Sequence, residues 1–309
     1  MNKKCTERVG EFLVKELTRG YTKHMMRKKL VWISLCLFLT LFLGGCNLTS
    51  ASKEKEIDYR DQGIALMEAE KYEEAAKMFQ LALDQSVGFV TDLDVDICYY
   101  KAAALFAAGD NDGAIEVYNK IIKYDSDEWE AQYLIGTVYL AQGDEDTALE
   151  YFDIAIDKND DDYELYIQIY EQLADTDADT AQTYLDAALK IGGSNKSAVR
   201  NQGYIYYLMG DTDTALSLLQ QAAEDSDEKA ILYLAQIEID LGDYETALSW
   251  ITQGISMDGT YMQQFYYAQI VAYEYLGDYD TAKSLMETYL DSYPNDSTAV
   301  RENTYLQTR

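Results

Sequence analysis

Apolar residues recur every three or four positions along most of the chain, and short polar turns interrupt them at regular intervals. Residues 129–157 show this most clearly, because two amphipathic segments flank the turn Gln142-Gly143-Asp144. Gly143 can adopt the positive φ that ends a helix, and the Asp144 side chain can cap the next helix. The pattern therefore predicts a helical hairpin as the basic structural unit.

A small residue in the second predicted helix marks seven such hairpins, at intervals of 39, 34, 33, 34, 32 and 35 residues. The seven residues are Ala75, Ala114, Ala148, Ala181, Ala215, Ala247 and Ala282. A helix-turn-helix unit with a period near 34 resembles the tetratricopeptide repeat. The resemblance covers residues 56–296. It implies an all-α, right-handed superhelical solenoid of about seven repeats, and residues 297–306 are expected to form a C-terminal capping helix. An unrelated helical solenoid would keep the all-α class.

Some copies of the repeat depart from the pattern. The first has Glu70-Lys71-Tyr72 in place of a Gly-Asp turn, and a five-residue insertion within residues 84–96 precedes the second. The fourth departs most, because Ile169 replaces the small residue of its first helix and residues 175–180 replace its glycine turn. The fourth copy also gains three tyrosines, Tyr163, Tyr166 and Tyr170, so its deviations suggest where the chain binds.

The N-terminal region has the pattern of a secretion signal. Three basic residues, 27–29, precede an apolar run at residues 30–43. A run of this length is shorter than the roughly 20 residues that span a bilayer, but it matches the core of a signal peptide. Translation could begin at Met25 or Met26; otherwise the basic region is unusually long.

The apolar run ends in Leu43-Gly44-Gly45-Cys46, which resembles the lipobox of bacterial lipoproteins. The resemblance implies that residues 1–45 are a removable leader and that Cys46 is the lipidated N-terminus, anchored in a lipid bilayer. Residues 46–56 are polar and lack periodicity, so we expect a flexible tether there, followed by a repeat domain at 57–306.

Charge is unevenly distributed. Residues 1–29 contain nine Lys and Arg against three Asp and Glu, whereas residues from Cys46 onward contain 16 against 52. A surface this acidic repels nucleic acid and favours basic partners or divalent cations. We therefore expect no nucleic-acid partner.

Catalytic equipment is sparse, since the one histidine, His24, precedes the predicted mature chain. We expect neither an enzyme nor a bound cofactor. A weak calcium hypothesis concerns residues 175–186, where Asp175 and Asp186 occupy positions 1 and 12 of an EF-hand-like spacing, although Thr180 stands where that loop needs glycine. Cys98 falls on the apolar face of a predicted helix, where packing explains it better than reactivity.

The resemblance also implies a binding groove, because the first helix of each tetratricopeptide repeat lines a concave face through repeat positions 2, 5, 9, 12 and 13. Tyrosine suits such a groove because it offers a large contact area and a hydrogen-bonding hydroxyl. The alternative is that these side chains only pack the repeats together. The candidate residues are Arg60, Tyr99, Phe106, Tyr133, Tyr163, Tyr166, Tyr170, Arg200, Tyr204, Tyr207, Tyr267 and Tyr275.

Taken together, these features predict a membrane-anchored, extracytoplasmic scaffold that binds protein or peptide partners in its groove and helps to assemble cell-envelope complexes. A second hypothesis is a substrate-binding lipoprotein that delivers peptides or glycans to a transporter or envelope enzyme. A third, an enzyme acting through carboxylates alone, would be expected to act on glycans.

Overall fold

The computed structural model describes residues 46–309, with side chains from residue 51 onward. The predicted leader, residues 1–45, lies outside the described residues. Across the described range the chain forms fifteen α-helices and contains no strand. They are α1 (Cys46–Glu68), α2 (Tyr72–Leu83), α3 (Asp92–Ala107), α4 (Asn111–Tyr124), α5 (Trp129–Gln142), α6 (Glu145–Lys158), α7 (Tyr163–Leu173), α8 (Ala178–Ala188), α9 (Lys196–Leu208), α10 (Thr212–Glu224), α11 (Glu228–Leu241), α12 (Tyr244–Ser256), α13 (Met262–Tyr275), α14 (Tyr279–Ser292) and α15 (Ser297–Leu306).

Consecutive helices pack as hairpins within two compact units, which meet in sequence between Asp160 and Asp161. The first unit contains the hairpins α1–α2, α3–α4 and α5–α6. The second contains α7–α8, α9–α10, α11–α12 and α13–α14, and α15 packs on α14. The seven predicted hairpins and the C-terminal helix are thereby confirmed.

The hairpin turns follow the predicted chemistry. Five glycines in these turns adopt φ values between 76° and 86°, in the left-handed region that other residues rarely occupy. In the third hairpin, Gly143 is followed by Asp144, whose carboxylate accepts hydrogen bonds from the backbone N–H and the hydroxyl of Thr147 at 3.3 and 2.8 Å. The same Asp-x-x-Thr cap begins α8, α10, α12 and α14. The first hairpin turns without glycine, because Glu70 itself adopts a φ of 58°.

The core of each hairpin lies between its two helices. All seven alanines that define the repeat are fully buried. In the third hairpin, a Cβ at Gly136 would lie 2.6 Å from Cε1 of Phe152, so the absence of a side chain lets the two helices approach. The fourth hairpin has Ile169 and Leu185 at these two positions, and both are fully buried.

The predicted flexible tether differs from the structure, because residues 46–56 belong to the 23-residue helix α1. Residues 46–62 contain neither glycine nor proline, so nothing in the sequence stops the helix from extending toward Cys46. The extension is also held by tertiary contacts, since the Ser52 hydroxyl donates to the carbonyl of Gln85 and Glu56 is buried. The segment is therefore a helical continuation of the first repeat.

No helix within residues 46–309 combines the length and the apolar character needed to cross a bilayer.

Candidate binding surface

The twelve candidate groove residues all lie on the first helices of their hairpins, but five of them are buried in the packing. Two of them use their hydroxyl groups in hydrogen bonds within the chain. Tyr99 donates to Glu128 at 3.2 Å, and Tyr163 donates to the carbonyl of Gly192. The alternative that they stabilise the repeats therefore applies to this group. The buried five are Tyr99, Phe106, Tyr133, Tyr163 and Tyr166, each between 3% and 6% exposed.

The remaining candidates reach solvent. Three of them, Arg200, Tyr204 and Tyr207, lie on α9 in the second unit, and the structure brings these together with residues of α7 and α11. Tyr170 lies beside this group, because it donates to the carbonyl of Leu208 on α9 at 3.4 Å, whereas Tyr275 stacks on a tyrosine of α12. The partly or well exposed set is Arg60, Tyr170, Arg200, Tyr204, Tyr207, Tyr267 and Tyr275.

The group on α7, α9 and α11 is built around a stacked pair of rings. Tyr204 and Tyr233 lie parallel, with centroids 4.1 Å apart and an interplanar angle of 6°. The Lys229 ammonium lies 5.4 Å from the centroid of Tyr233 and 3.0 Å from a carboxylate oxygen of Glu164. Tyr207 packs beside Tyr204, with centroids 6.4 Å apart. We call Glu164, Tyr204, Tyr207, Lys229 and Tyr233 the tyrosine cluster.

Electrostatics keep the tyrosine cluster in defined protonation states. Burial lowers the pKa of Lys229, but the neighbouring Tyr233 and Glu164 raise it by a larger amount. The net shift of the pKa is therefore upward, and the ammonium stays charged. Burial is the main cause that raises the pKa of Tyr233 to about 12. Burial and the hydrogen bond to Asp240, at 2.6 Å, raise the pKa of Tyr207 to about 12. At neutral pH the cluster therefore presents protonated hydroxyls beside the Lys229 cation.

Arg200 has a structural role at the edge of this cluster. Its Nη1 lies 2.9 Å from a carboxylate oxygen of Asp227, which is 5% exposed. Asp227 also accepts from the backbone N–H of Ala230 at 3.0 Å and so caps α11. The Arg200 guanidinium thus stabilises the N-terminus of α11 through its ion pair with Asp227.

Arg60, in the first unit, faces a buried carboxyl group. Its Nη1 is 3.8 Å from Oδ2 of Asp96, and its Nη2 is 2.7 Å from Oδ1 of Asp61. Asp96 is 5% exposed, and within the described residues its Oδ1 has no hydrogen-bond partner. Burial raises the pKa of Asp96 to about 7, against the lowering effect of Arg60. At 3.8 Å, the Arg60 guanidinium only partly offsets the cost of burying a charged Asp96, so the Asp96 carboxyl changes its protonation state near pH 7.

Sequence reasoning missed several members of the surface. Lys229 and Asp240 stand at positions 2 and 13 of the sixth repeat, so the rule that selected the other candidates would have found them. Tyr233 and Glu164 stand at positions 6 and 3, outside that rule. Their inclusion depends on how neighbouring first helices pack, which the repeat pattern does not encode.

The structure gives the calcium hypothesis no support. Asp177 is occupied as the cap of α8, where it accepts from the backbone N–H and the hydroxyl of Thr180 at 3.1 and 2.5 Å. Within the described part of the chain, no three His, Cys, Asp or Glu side chains are grouped so that they could hold a metal ion. Cys98 is half-buried, and burial raises the pKa of its thiol, as expected of a packing residue.

Comparison with family models identifies the class of protein. A tetratricopeptide repeat model matches residues 60–126, 99–163 and 168–231, and a second tetratricopeptide repeat model matches residues 264–296. The matches of the first model alone cover more than half of the chain. The chain therefore belongs to the tetratricopeptide repeat family.

Individual relatives are distant. The chain is 25% identical over 204 residues to BBSome complex member BBS4 from Bos taurus. The aligned region covers 65% of this chain and 33% of the relative, so this chain spans about a third of that protein's length. A tetratricopeptide repeat protein from Parabacteroides merdae superimposes with a TM-score of 0.51 at 12% identity, covering 85% of this chain and 99% of that one. PilW, a type IV pilus biogenesis factor, gives a TM-score of 0.43 at 16% identity, covering 69% and 99%. The likeness to the Parabacteroides protein shows the fold alone.

Proposed function

We propose that this chain is a lipid-anchored scaffold on the extracytoplasmic face of a bacterial membrane, where it binds protein or peptide partners during assembly of a cell-envelope complex. The sequence Leu43-Gly44-Gly45-Cys46 after a short apolar run supports the anchor. Tandem tetratricopeptide repeats mediate protein–protein interactions, which supports the scaffold role. The proposal includes no catalytic step.

The tyrosine cluster carries the binding part of the proposal. It joins side chains from three successive first helices, and tetratricopeptide repeats use this side of the hairpin for partners. The partly exposed rings of Tyr204 and Tyr207 supply contact area without the rotamer entropy of long aliphatic side chains. The hydroxyls of Tyr204 and Tyr233 can donate to backbone carbonyls of an extended peptide or to polar groups on a partner helix, whereas the Tyr207 hydroxyl already donates to Asp240 and can only accept. The charged pair of Lys229 and Glu164 would fix the orientation of such a ligand.

The binding role is tested with the double variant Tyr204→Ala, Tyr233→Ala. Partners are cross-linked in native membranes, purified with the tagged chain and quantified by mass spectrometry. We expect partner recovery to fall at least about tenfold, since removing aromatic anchors from the centre of an interface costs roughly 2 kcal/mol or more.

A matched control comes from a stacked pair on α5 and α6, Tyr139 and Tyr151, whose centroids are 5.5 Å apart. Replacing both of these with Ala removes the same chemical groups and leaves the cluster unchanged. Equal recovery of partners by the two double variants, with equal thermal stability, would overturn the assignment of the cluster as the binding site.

The anchor is tested separately with Cys46→Ser, using Cys98→Ser as the control. We expect the Cys46 variant to appear in the soluble fraction or to retain its leader, because thioether acylation requires the thiol. Mass spectrometry of the wild-type membrane form should show a lipidated N-terminal cysteine. Normal cleavage with unchanged membrane retention of Cys46→Ser would refute the anchor.

A further inference from the structure

An apolar loop between α2 and α3 stands apart from an otherwise acidic surface. Residues 85–91 contain no charged side chain, and they lie within the segment that holds the five-residue insertion. Phe89 is 93% exposed, Val87 73% and Val90 50%. Single exposed apolar residues are ordinary, but three within four positions mark a contact site. We call residues 85–91 the apolar loop.

The apolar loop is held against the beginning of α1. The Ser52 hydroxyl donates to the carbonyl of Gln85, and a shallow depression is lined by residues of α1 on one side and of the loop on the other. The lining residues are Ser52, Lys53, Glu56, Gln85, Ser86, Val87 and Thr91. The loop is thus fixed beside the first turns of the helix.

This position brings the apolar loop close to Cys46. Cys46 begins α1, six residues before Ser52. At about 1.5 Å per residue, the helix backbone at Cys46 lies roughly 9 Å along the axis from the point where the loop is attached. A bilayer that holds acyl chains on Cys46 is therefore within reach of a short apolar loop.

Residues around the apolar loop suit a membrane interface. Tyr124 is 57% exposed and its hydroxyl donates to the carbonyl of Val90 at 3.4 Å, so its ring stands next to the loop. Lys53, in the depression, and Lys123, beside Tyr124 in sequence, are exposed. Tyrosine and lysine have apolar stems with polar tips and settle at the headgroup level of membranes.

We propose that the apolar loop inserts Phe89 and its valine neighbours into the bilayer surface beside Cys46, so that the chain contacts the membrane at two points. This inference rests on the proposed anchoring at Cys46. A bilayer fits better than a protein partner because the lipid-modified position and the loop lie at the same end of α1. Burial to about 5–10 Å is the depth that interfacial apolar side chains reach. The second contact would fix the direction of α1 relative to the membrane.

The test places a tryptophan at the tip of the loop. The full chain carrying Phe89→Trp is purified from native membranes and reconstituted into phosphatidylcholine–phosphatidylglycerol vesicles, with or without bromine on the acyl chains. The matched control is Tyr275→Trp, at a residue of α13 that is 65% exposed. We expect bromolipid to quench the added emission of Phe89→Trp at least about twofold and to leave that of Tyr275→Trp unchanged. Emission of the wild-type chain is subtracted from both.

The outcomes separate the loop from the anchor. Quenching at position 89 that does not exceed the control overturns the loop inference, whatever the state of Cys46. Blue-shifted emission at position 89 without quenching also overturns it, because the loop is then covered by protein. The intact mass of the reconstituted chain shows independently whether Cys46 is acylated. An acylated chain with an unquenched loop would refute only the loop, and an unacylated chain with a quenched loop would refute only the anchor.

Discussion

Residue size at one pair of positions sets how closely the two helices of a hairpin approach. In the third hairpin a Cβ on Gly136 would meet Cε1 of Phe152 at 2.6 Å and the carbonyl oxygen of Ala148 at 3.0 Å. Phe152 is fully buried, so neighbouring atoms surround its ring. The fourth hairpin combines a larger residue, Ile169, with a smaller partner, Leu185, at the same positions. The side-chain volume that Leu185 lacks relative to Phe152 is thus supplied by Ile169 in the place of a glycine.

We expect Gly136→Ala to lower the free energy of unfolding by about 1–3 kcal/mol, because the strain of overpacking exceeds the roughly 1 kcal/mol that alanine gains over glycine in a helix. Urea unfolding followed by circular dichroism measures the change. Adding Phe152→Leu to the variant should remove part of the strain, so the double variant should lose less than the sum of the two single variants. Strict additivity would contradict the close contact.

Asp96 predicts a pH dependence with a definite sign. Its pKa in the folded chain is raised to about 7, so the folded state binds a proton that the unfolded state releases near pH 4. Stability from this group is therefore largest at low pH and is lost as the pH rises through 7. We expect wild type to lose roughly 2 kcal/mol more than Asp96→Asn between pH 5 and pH 8. Parallel stability curves for the two chains would refute the assignment.

Helix starts are specified locally, and their strength can be measured one element at a time. Asp144→Ala removes the acceptor for the backbone N–H of Thr147 and should destabilise the chain by about 1 kcal/mol. Asp146→Ala is the matched control, because it removes an exposed carboxylate from the first turn of the same helix without removing the cap. Thermal unfolding compares the two. Equal losses would mean that charge near the helix N-terminus, and not the cap hydrogen bond, is responsible.

Elements with local signals were predictable from the sequence, and elements that depend on tertiary contact were not. Gly143 and Asp144 indicate a turn, because Gly143 tolerates a positive φ and the Asp144 carboxylate accepts a hydrogen bond from the backbone N–H of Thr147 in the next helix. Residues 46–56 carry no such signal, and their helix depends partly on the contact of Ser52 with Gln85, 33 positions away. The same distinction applies to the binding surface. Repeat position identified Tyr204 and Tyr207, but the burial of Tyr99 and Tyr133 depends on packing between hairpins.

Charge acts at the scale of the whole molecule. The chain carries a formal net charge of −30, whereas the described residues form few ion pairs, of which Lys120–Glu116 at 2.7 Å is an exposed example. Self-repulsion among carboxylates should therefore outweigh the attraction within these pairs. The range of repulsion shortens from about 30 Å at 0.01 M salt to about 8 Å at 0.15 M.

We expect the thermal midpoint of unfolding to rise by about 3 °C when monovalent salt is raised from 0.01 to 0.15 M, because screening relieves this repulsion. Differential scanning calorimetry in sodium chloride and in choline chloride measures the shift. Similar shifts in the two salts would indicate general screening. A fall in the midpoint would show that ion pairs such as Arg200–Asp227 contribute more to stability than the net charge removes.

The Asp-x-x-Thr cap has a further consequence for how such a chain can change over generations. Each of the five copies bonds only atoms three residues apart, so the start of the helix is specified without help from any other repeat. A gene segment that encodes one hairpin therefore also encodes the cap that starts its second helix, whether neighbouring hairpins are added or deleted. The number of hairpins can therefore change by whole units, whereas the apolar loop occurs once in the described residues and would be lost if its own hairpin were deleted.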